Sequence, residues 1–207
     1  MQSNLLVTIV ISCLLLSSTT NIKQDPGNKE LADELLAMRE ADIKAGDKAK
    51  SLRGKPEFEQ ADKDFLAIRQ RNADRMKSIV AQSGWPTRAL VGEKGIAAAF
   101  LIVQHADKDR EFQRYCLPLM KEAGKRGEID LWQIAYLIDR LLVADGKKQL
   151  YGTQFDPCEH KDDPDSPCAV EDPDNLEARR KEMGLGPMND YLKLMKEIRS
   201  KSRAQKQ

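Results

Sequence analysis

The sequence predicts an all-α fold, a single globular domain of about seven helices packed around one buried central helix, on three observations. Apolar residues recur at three- and four-residue spacing along most of the 207-residue chain, between Gly, Pro and capping residues. No Val/Ile/Thr-rich run alternates with period two and aromatics make up only 5 %, which argues against a sandwich or barrel. One segment, Ile96 to Val103, is apolar on every side, as a helix surrounded by others has to be. Hydrophobic residues at 41 % and charged residues at 32 % describe a folded, well-charged domain. With 34 Lys plus Arg against 33 Asp plus Glu, the net charge of +1 supplies no basic excess to displace counterions, so no nucleic-acid partner is expected.

The first helix is expected from about Lys29 to Asp47, capped by Asn28 and burying Leu31, Leu35 and Met38. The second starts at Pro56, suited to a first helical position, carries Phe58, Ala61, Phe65, Ile68, Met76 and Ile79, and stops at Gly84. Gly84-Trp85-Pro86-Thr87-Arg88 is a rigid turn. The central helix follows, about Glu93 to Ala106, and Asp109 caps a fourth using Phe112, Cys116, Leu119 and Met120, with a kink at Pro118 and an end at Gly124 to Gly127. Asp130 and Gln133 form a capping-box pattern for a fifth, with Leu131, Ile134, Leu137, Ile138, Leu141 and Leu142 facing inward until Gly146. Asp174 caps a sixth that runs to Met183, and the last spans about Pro187 to Arg203 with Met188, Tyr191, Leu194, Met195 and Ile198 inward.

The termini and cysteines bear on compartment. No charge precedes Lys23, and Leu5 to Leu16 is an apolar run too short for the roughly 20 residues of a membrane span. Followed by Ser17-Ser18-Thr19-Thr20, it reads as a signal peptide over residues 1–20, with a linker at 21–28 and the domain at 29–203, in a secreted or periplasmic protein. Taking Val10-Ile11-Ser12-Cys13 as a lipobox would instead anchor the chain through Cys13. Cys158 and Cys168 flank an Asp- and Pro-rich stretch in which a disulfide, closing a loop at 156–173, is the economical arrangement outside the cytosol. A zinc site from Cys158, His160 and Cys168 lacks an evident fourth ligand, and no glycine sits where a calcium loop must turn, so neither metal nor cofactor is expected. Cys116 reads as a small buried apolar residue.

Functional candidates are the polar residues that interrupt apolar periodicity. Asp42 continues the Leu31, Leu35, Met38 stripe; Asn72 falls between Ile68 and Met76; Gln104, His105 and Asp107 close the central helix; Asp139 and Arg140 interrupt Ile134 to Leu142. Burying such groups costs on the order of 2 to 7 kcal/mol each without partners, and the simplest way to satisfy several is to let them meet one another. Each also has a purely structural explanation: a hydrogen-bonded His at a helix end, an interhelix Asn72, a surface Asp139-Arg140 pair. The recurrence of the breaks, beside a loop containing Gln149, Tyr151, Thr153 and Gln154 and near Trp85, points to a polar pocket for a small polar ligand or a peptide segment.

Gly84-Trp85-Pro86, Gln104-His105-Ala106-Asp107, Tyr136-Leu137-Ile138-Asp139-Arg140, Gln149-Leu150-Tyr151-Gly152-Thr153-Gln154, and Arg179-Arg180 ahead of Gly184-Leu185 occur in that order. Together they resemble the bacterial family known as domain-of-unknown-function family 6624, over about Leu31 to Tyr191. That family often has Asp-Gln followed by Arg in the first helix; here Asp42-Ile43-Lys44 matches only the Asp. The insertion carrying Cys158 and Cys168 is peculiar to this member. The resemblance supports the choice of residues and implies no reaction.

The chemistry expected is acid/base catalysis by His105, whose ordinary titration range suits proton transfer at neutral pH, with Asp139 orienting it. Arg140 or Arg180 would hold an anionic group. A non-catalytic binding module built on the same pocket is the alternative, and a metal held by His105 and Asp109, one helical turn apart, with Asp42 or Asp139, is a third.

Overall fold

The computed structural model describes residues 26–155 and 166–204. The expected leader at 1–20, with Cys13, and the expected Cys158 partner of Cys168, with His160, lie outside the described residues. Asn28 opens α1 (Lys29–Ser51), its Oδ1 accepting the Leu31 amide at 3.0 Å. Residues 52–57 then close consecutive turns, with the Lys55 amide on the Leu52 carbonyl and the Phe58 amide on that of Lys55. Those turns absorb Pro56, so α2 (Phe58–Ser83) begins two residues later than its proline suggests. Gly84, at φ +71°, ends it.

The central helix gains a first turn. Thr87 caps α3 (Arg88–Gln104) by accepting the Leu90 amide, and Gly92, at φ +68° and ψ 174°, breaks the helix just ahead of the expected start at Glu93. Beyond that break Ile96, Ala98, Ala99, Phe100, Ile102 and Val103 are buried, and α3 packs against α1, α2, α4 and α5. The central position predicted for it therefore holds. Asp109 caps α4 (Arg110–Lys125) by accepting the Phe112 amide at 3.0 Å, and the helix continues through Pro118.

The expected capping box before α5 (Leu131–Ala144) does not form. The Asp130 carboxylate accepts from Arg88 Nη2 at 3.2 Å and makes no cap, while the Gln133 side chain turns inward, its Oε1 without a hydrogen bond among the described residues. Leu131, expected inward, is 39 % exposed. Asp174 likewise caps nothing: it lies in a single 3-10 turn, Pro173–Asn175, that leads into α6 (Leu176–Glu182). In α7 (Met188–Ala204) Met188 is buried, but Leu194 and Ile198 are 51 % and 50 % exposed, against the inward placement their spacing suggested. The first turns of α7 reach the body, where Tyr191 ends an edge-to-face chain through Phe100, Trp132 and Tyr136 and also meets Phe155.

The core is continuous from Leu35 on α1 through Met76 and Val103 to Met120 and Leu137, all essentially inaccessible. Each such side chain contributes roughly 1.5–3 kcal/mol by leaving water. Cys116 lies within this core, and burial pushes its thiol up to about 12, the inert state expected of it. Among the described residues there are seven α-helices and no strand, only an isolated bridge between Gln149 and Val170, and no helix is long and apolar enough to cross a membrane. The arrangement brings the C-terminal end of α3 against the middle of α1 and α2 on one side and the middle of α5 on the other.

Candidate functional site

His105 is the C-cap of α3, held there by its amide on the Leu101 carbonyl. Its Nδ1 lies 2.5 Å from Asp42 Oδ2, and Arg69 Nε donates to Asp42 Oδ1 at 2.9 Å. The orienting carboxylate is thus Asp42 of α1 and not Asp139, a correction that follows from α1 packing alongside the end of α3. Burial works to raise the Asp42 carboxyl, but His105 and Arg69 outweigh it and hold it below the ordinary carboxylate range. An ionised carboxylate only accepts, so Nδ1 carries the ring proton in the neutral imidazole and the lone pair is on Nε2. His105 is about a quarter exposed and forms part of the wall of a small open cleft, with a cavity volume of about 40 Å³, between α2 and the α3–α4 turn, with Leu66, Arg69, Ala73, Asp107 and Lys108.

Asp107 continues the network. Arg140 grips it in a fork, Nε on Oδ1 at 2.8 Å and Nη2 on Oδ2 at 2.6 Å, and Arg110 Nη1 reaches Oδ1 at 2.9 Å. Burial favours the neutral acid here too, but Arg140, then Arg110 and Arg69, lower it below the ordinary value. Arg110 also donates to Gln113 Oε1, and the fully buried Gln113 amide donates to the Val103 and Gln104 carbonyls. That closes the exposed end of the α3 ladder, and Gln104 takes part through its main chain.

The remaining candidates gather one layer away. Asp139 is fully buried and accepts from the amides of Leu150, Tyr151 and Thr153 and from the Thr153 hydroxyl, at 2.7 to 3.2 Å. Burial raises its carboxyl above the ordinary value, and these donors offset only part of that. Gln149 spans the same loop: Oε1 accepts the Gln154 amide, and Nε2 donates to the Gln154 and Cys168 carbonyls. Gly152 makes the bend at φ +71°, where a Cβ would lie 3.0 Å from Met188 Sδ. Arg180, expected to hold an anion, is 2 % exposed, and its Nε and Nη1 donate to the Gly186 and Tyr151 carbonyls while its guanidinium lies 5.2 Å from the Tyr191 ring centre. Its neighbour Arg179 donates to the carbonyls of Leu150, Glu171 and Asp172, the last at φ +44°.

These two groups are joined. Arg140 Nη1 donates to Gln154 Oε1 at 3.3 Å, and Gln154 Nε2 donates to Thr153 Oγ1 at 3.0 Å. A polar chain therefore runs from His105 and Asp42 through Arg69, Asp107, Arg140, Gln154 and Thr153 to Asp139, its longest step the 4.0 Å between Arg69 and Asp107. Two candidates stand outside it. Asn72 donates to the Met38 carbonyl at 2.9 Å, an α1–α2 tie. Trp85 is buried in the apolar core just ahead of α3, at the opposite end of that helix from His105, and does not line the same cleft.

The sequence reading missed Arg69, Arg110, Gln113 and Lys108. Gln113 was discoverable, because it sits one residue from Phe112 on the buried side of α4; Arg69 and Arg110 lie in charged stretches that give no sign of which residue turns inward. For the metal alternative, Asp109 Oδ1 accepts the Phe112 amide and Oδ2 the Lys77 ammonium at 2.5 Å, and among the described residues no three potential ligands gather.

No curated protein and no solved structure matches the chain. A family model described as a family of unknown function, DUF6624, matches residues 29–201, so the helical domain with its His105–Asp42 pair belongs to that family.

Proposed function

We propose that this protein is an exported enzyme in which His105 acts as general base and acid on a small polar or peptide-like substrate. The observation that carries the reading is the 2.5 Å pair between His105 Nδ1 and the ionised Asp42, beside an open cleft. Asp42 holds the ring and stabilises the imidazolium that forms when Nε2 takes a proton. Arg69 keeps Asp42 ionised, while Asp107 and Arg140 stiffen the far wall. Gln149, Tyr151, Thr153, Gln154 and Arg180 serve the site by holding the loop behind Arg140. The cleft-lining residues include no hydroxyl or thiol, which favours direct proton transfer over a covalent intermediate.

That same lack of a hydroxyl or thiol nucleophile favours the second reading, a non-catalytic module that captures a ligand. Turnover of an unbiased metabolite pool by wild type, His105→Ala and Asp42→Asn separates the two. The enzyme reading requires at least one substrate consumed by wild type and lost in both variants, by about 10² or more; binding without consumption in all three favours the module.

Export is part of the proposal, supported by the apolar, charge-free N-terminus. Intact mass from an exporting host should begin near Asn21; a retained Met1 defeats the signal peptide, and a lipid adduct on Cys13 makes the protein anchored. A Cys158–Cys168 disulfide follows from the same compartment, and non-reducing peptide mapping should recover it.

A further inference from the structure

We infer that the His105 cleft takes a substrate bearing an oxyanion, a carboxylate or a phosphate, held by Arg69 and Lys108. This deepens, and rests on, the assignment of the cleft as the site. The argument is an inventory of hydrogen-bonding capacity along the cleft wall. Both carboxylates of the wall are already engaged at both oxygens, Asp107 by Arg140 and Arg110 and Asp109 by the Phe112 amide and Lys77, and so is Asp42 behind them, by Arg69 and His105. Gln70, at the rim, donates to Asp74.

The cations are not all engaged. Arg69 donates through Nε alone; its Nη1 is 4.0 Å from Asp107, beyond a hydrogen bond, and neither Nη group has a hydrogen-bond acceptor among the described residues. Its guanidinium lies over the Phe65 ring at 4.2 Å, so the side chain is held in place with donors to spare. Lys108 is exposed on the α3–α4 turn and has no ion pair among the described residues. What the cleft offers a visitor is therefore donors and positive charge from two side chains, beside an imidazole. A planar guanidinium edge and an exposed ammonium on one cleft are suited to carboxylate and phosphate oxygens. Arg140 and Arg180, the cations expected for this task, are spent on Asp107 and on main-chain carbonyls.

The test is an NMR titration of the purified protein with sodium phosphate and, separately, sodium succinate, following the His105 imidazole, assigned against His160 with His105→Gln. A saturable shift is expected with one or both anions, phosphate alone indicating a phosphoryl substrate and succinate alone a carboxylate. Affinity should fall about tenfold or more in Arg69→Gln and roughly threefold in Lys108→Gln, and stay unchanged in Lys125→Gln, at the far end of α4. No saturable shift with either anion, or equal affinity in wild type and Lys108→Gln, overturns the inference. Should Arg69→Gln fail to fold, the exposed Lys108→Gln decides alone. Saturable binding without turnover of any anionic metabolite sustains this inference and defeats the catalytic reading. Turnover confined to uncharged substrates and unaffected by Lys108→Gln does the reverse.

Discussion

Asp42 and Asp139 are both buried in the same helical body and sit at two ends of one polar chain, yet they are satisfied in opposite ways. Asp42 meets two side chains from different helices, the Arg69 guanidinium and the His105 imidazole, and its acidity is increased. Asp139 meets no cation; three amides and a hydroxyl of one short loop surround it, and its acidity is decreased. Side-chain partners at the edge of a cleft are exchangeable with a ligand or a proton, whereas main-chain amides fixed by a loop's own geometry are not. The comparison teaches that polar burial alone did not distinguish a reactive position from a structural one. The kind of partner does.

Removing Asp139 should have the largest effect on stability. Asp139→Ala strands four donors around residues 150–153 and is expected to cost about 3 to 5 kcal/mol, a fall of roughly 6 to 20 °C in thermal unfolding for a domain of this size. Asp42→Asn keeps an acceptor for Arg69, and its partners Arg69 and His105 are partly exposed, so its expected cost is about 1 kcal/mol. Equal losses in the two variants would break the distinction.

Gly152→Ala sharpens the loop side of it. The residue would have to hold φ +71° with a Cβ 3.0 Å from Met188 Sδ; because Met188 can shift, the expected cost is about 1 to 2 kcal/mol, read from the urea midpoint. Turnover measured well below the midpoint should change little.

The pH dependence of stability should carry opposite slopes from the two ends. The folded values of Asp42 and Asp107 lie below those of the unfolded chain, so the stability they contribute is present above about pH 4 and is lost as pH falls through the folded values. Asp139 has a raised folded value: its contribution is greatest below about pH 4 and declines as pH rises through that higher value. Urea midpoints from pH 3 to 6, in steps of about half a unit, should show less acid-side loss in Asp42→Asn than in wild type, whereas Asp139→Asn should remove the decline on the rising side. Parallel curves for the two variants would contradict the assignment.

The smallest effect is expected from Arg140→Gln, which cuts the link between the two ends. Arg140 and Asp107 are both partly exposed, so the loss is about 1 kcal/mol. A double-mutant cycle of Arg140→Gln with Thr153→Val should show coupling, and strict additivity would mean that the polar chain transmits nothing.

The helices and their order were legible because their signals are local. Asn28 and Asp109 form the caps expected of them, and Ile96 to Val103 is buried except at Ala97 and Leu101, which share one partly exposed face. Local signals also misled: Asp130 fits a capping box, yet Arg88, 42 positions earlier, claims its carboxylate. Leu194 and Ile198 keep helical spacing but stand half-exposed, with no partner element covering them among the described residues.

The sequence by itself determined that Asp42, His105, Asp107 and Asp139 interrupt apolar stripes and so need partners, because that depends only on periodicity and on the cost of burying polar groups. Which partner each one takes was decided by the tertiary structure. His105 has Asp42 63 residues before it and Asp139 34 residues after it, and nothing in the chain ranks the two. The packing of α1 against α3 does, by bringing Asp42 Oδ2 to Nδ1 while the 150–153 loop folds over Asp139. Hydrogen bonds form only within about 3 Å, and distances on that scale between segments far apart in sequence exist only once the helices have packed.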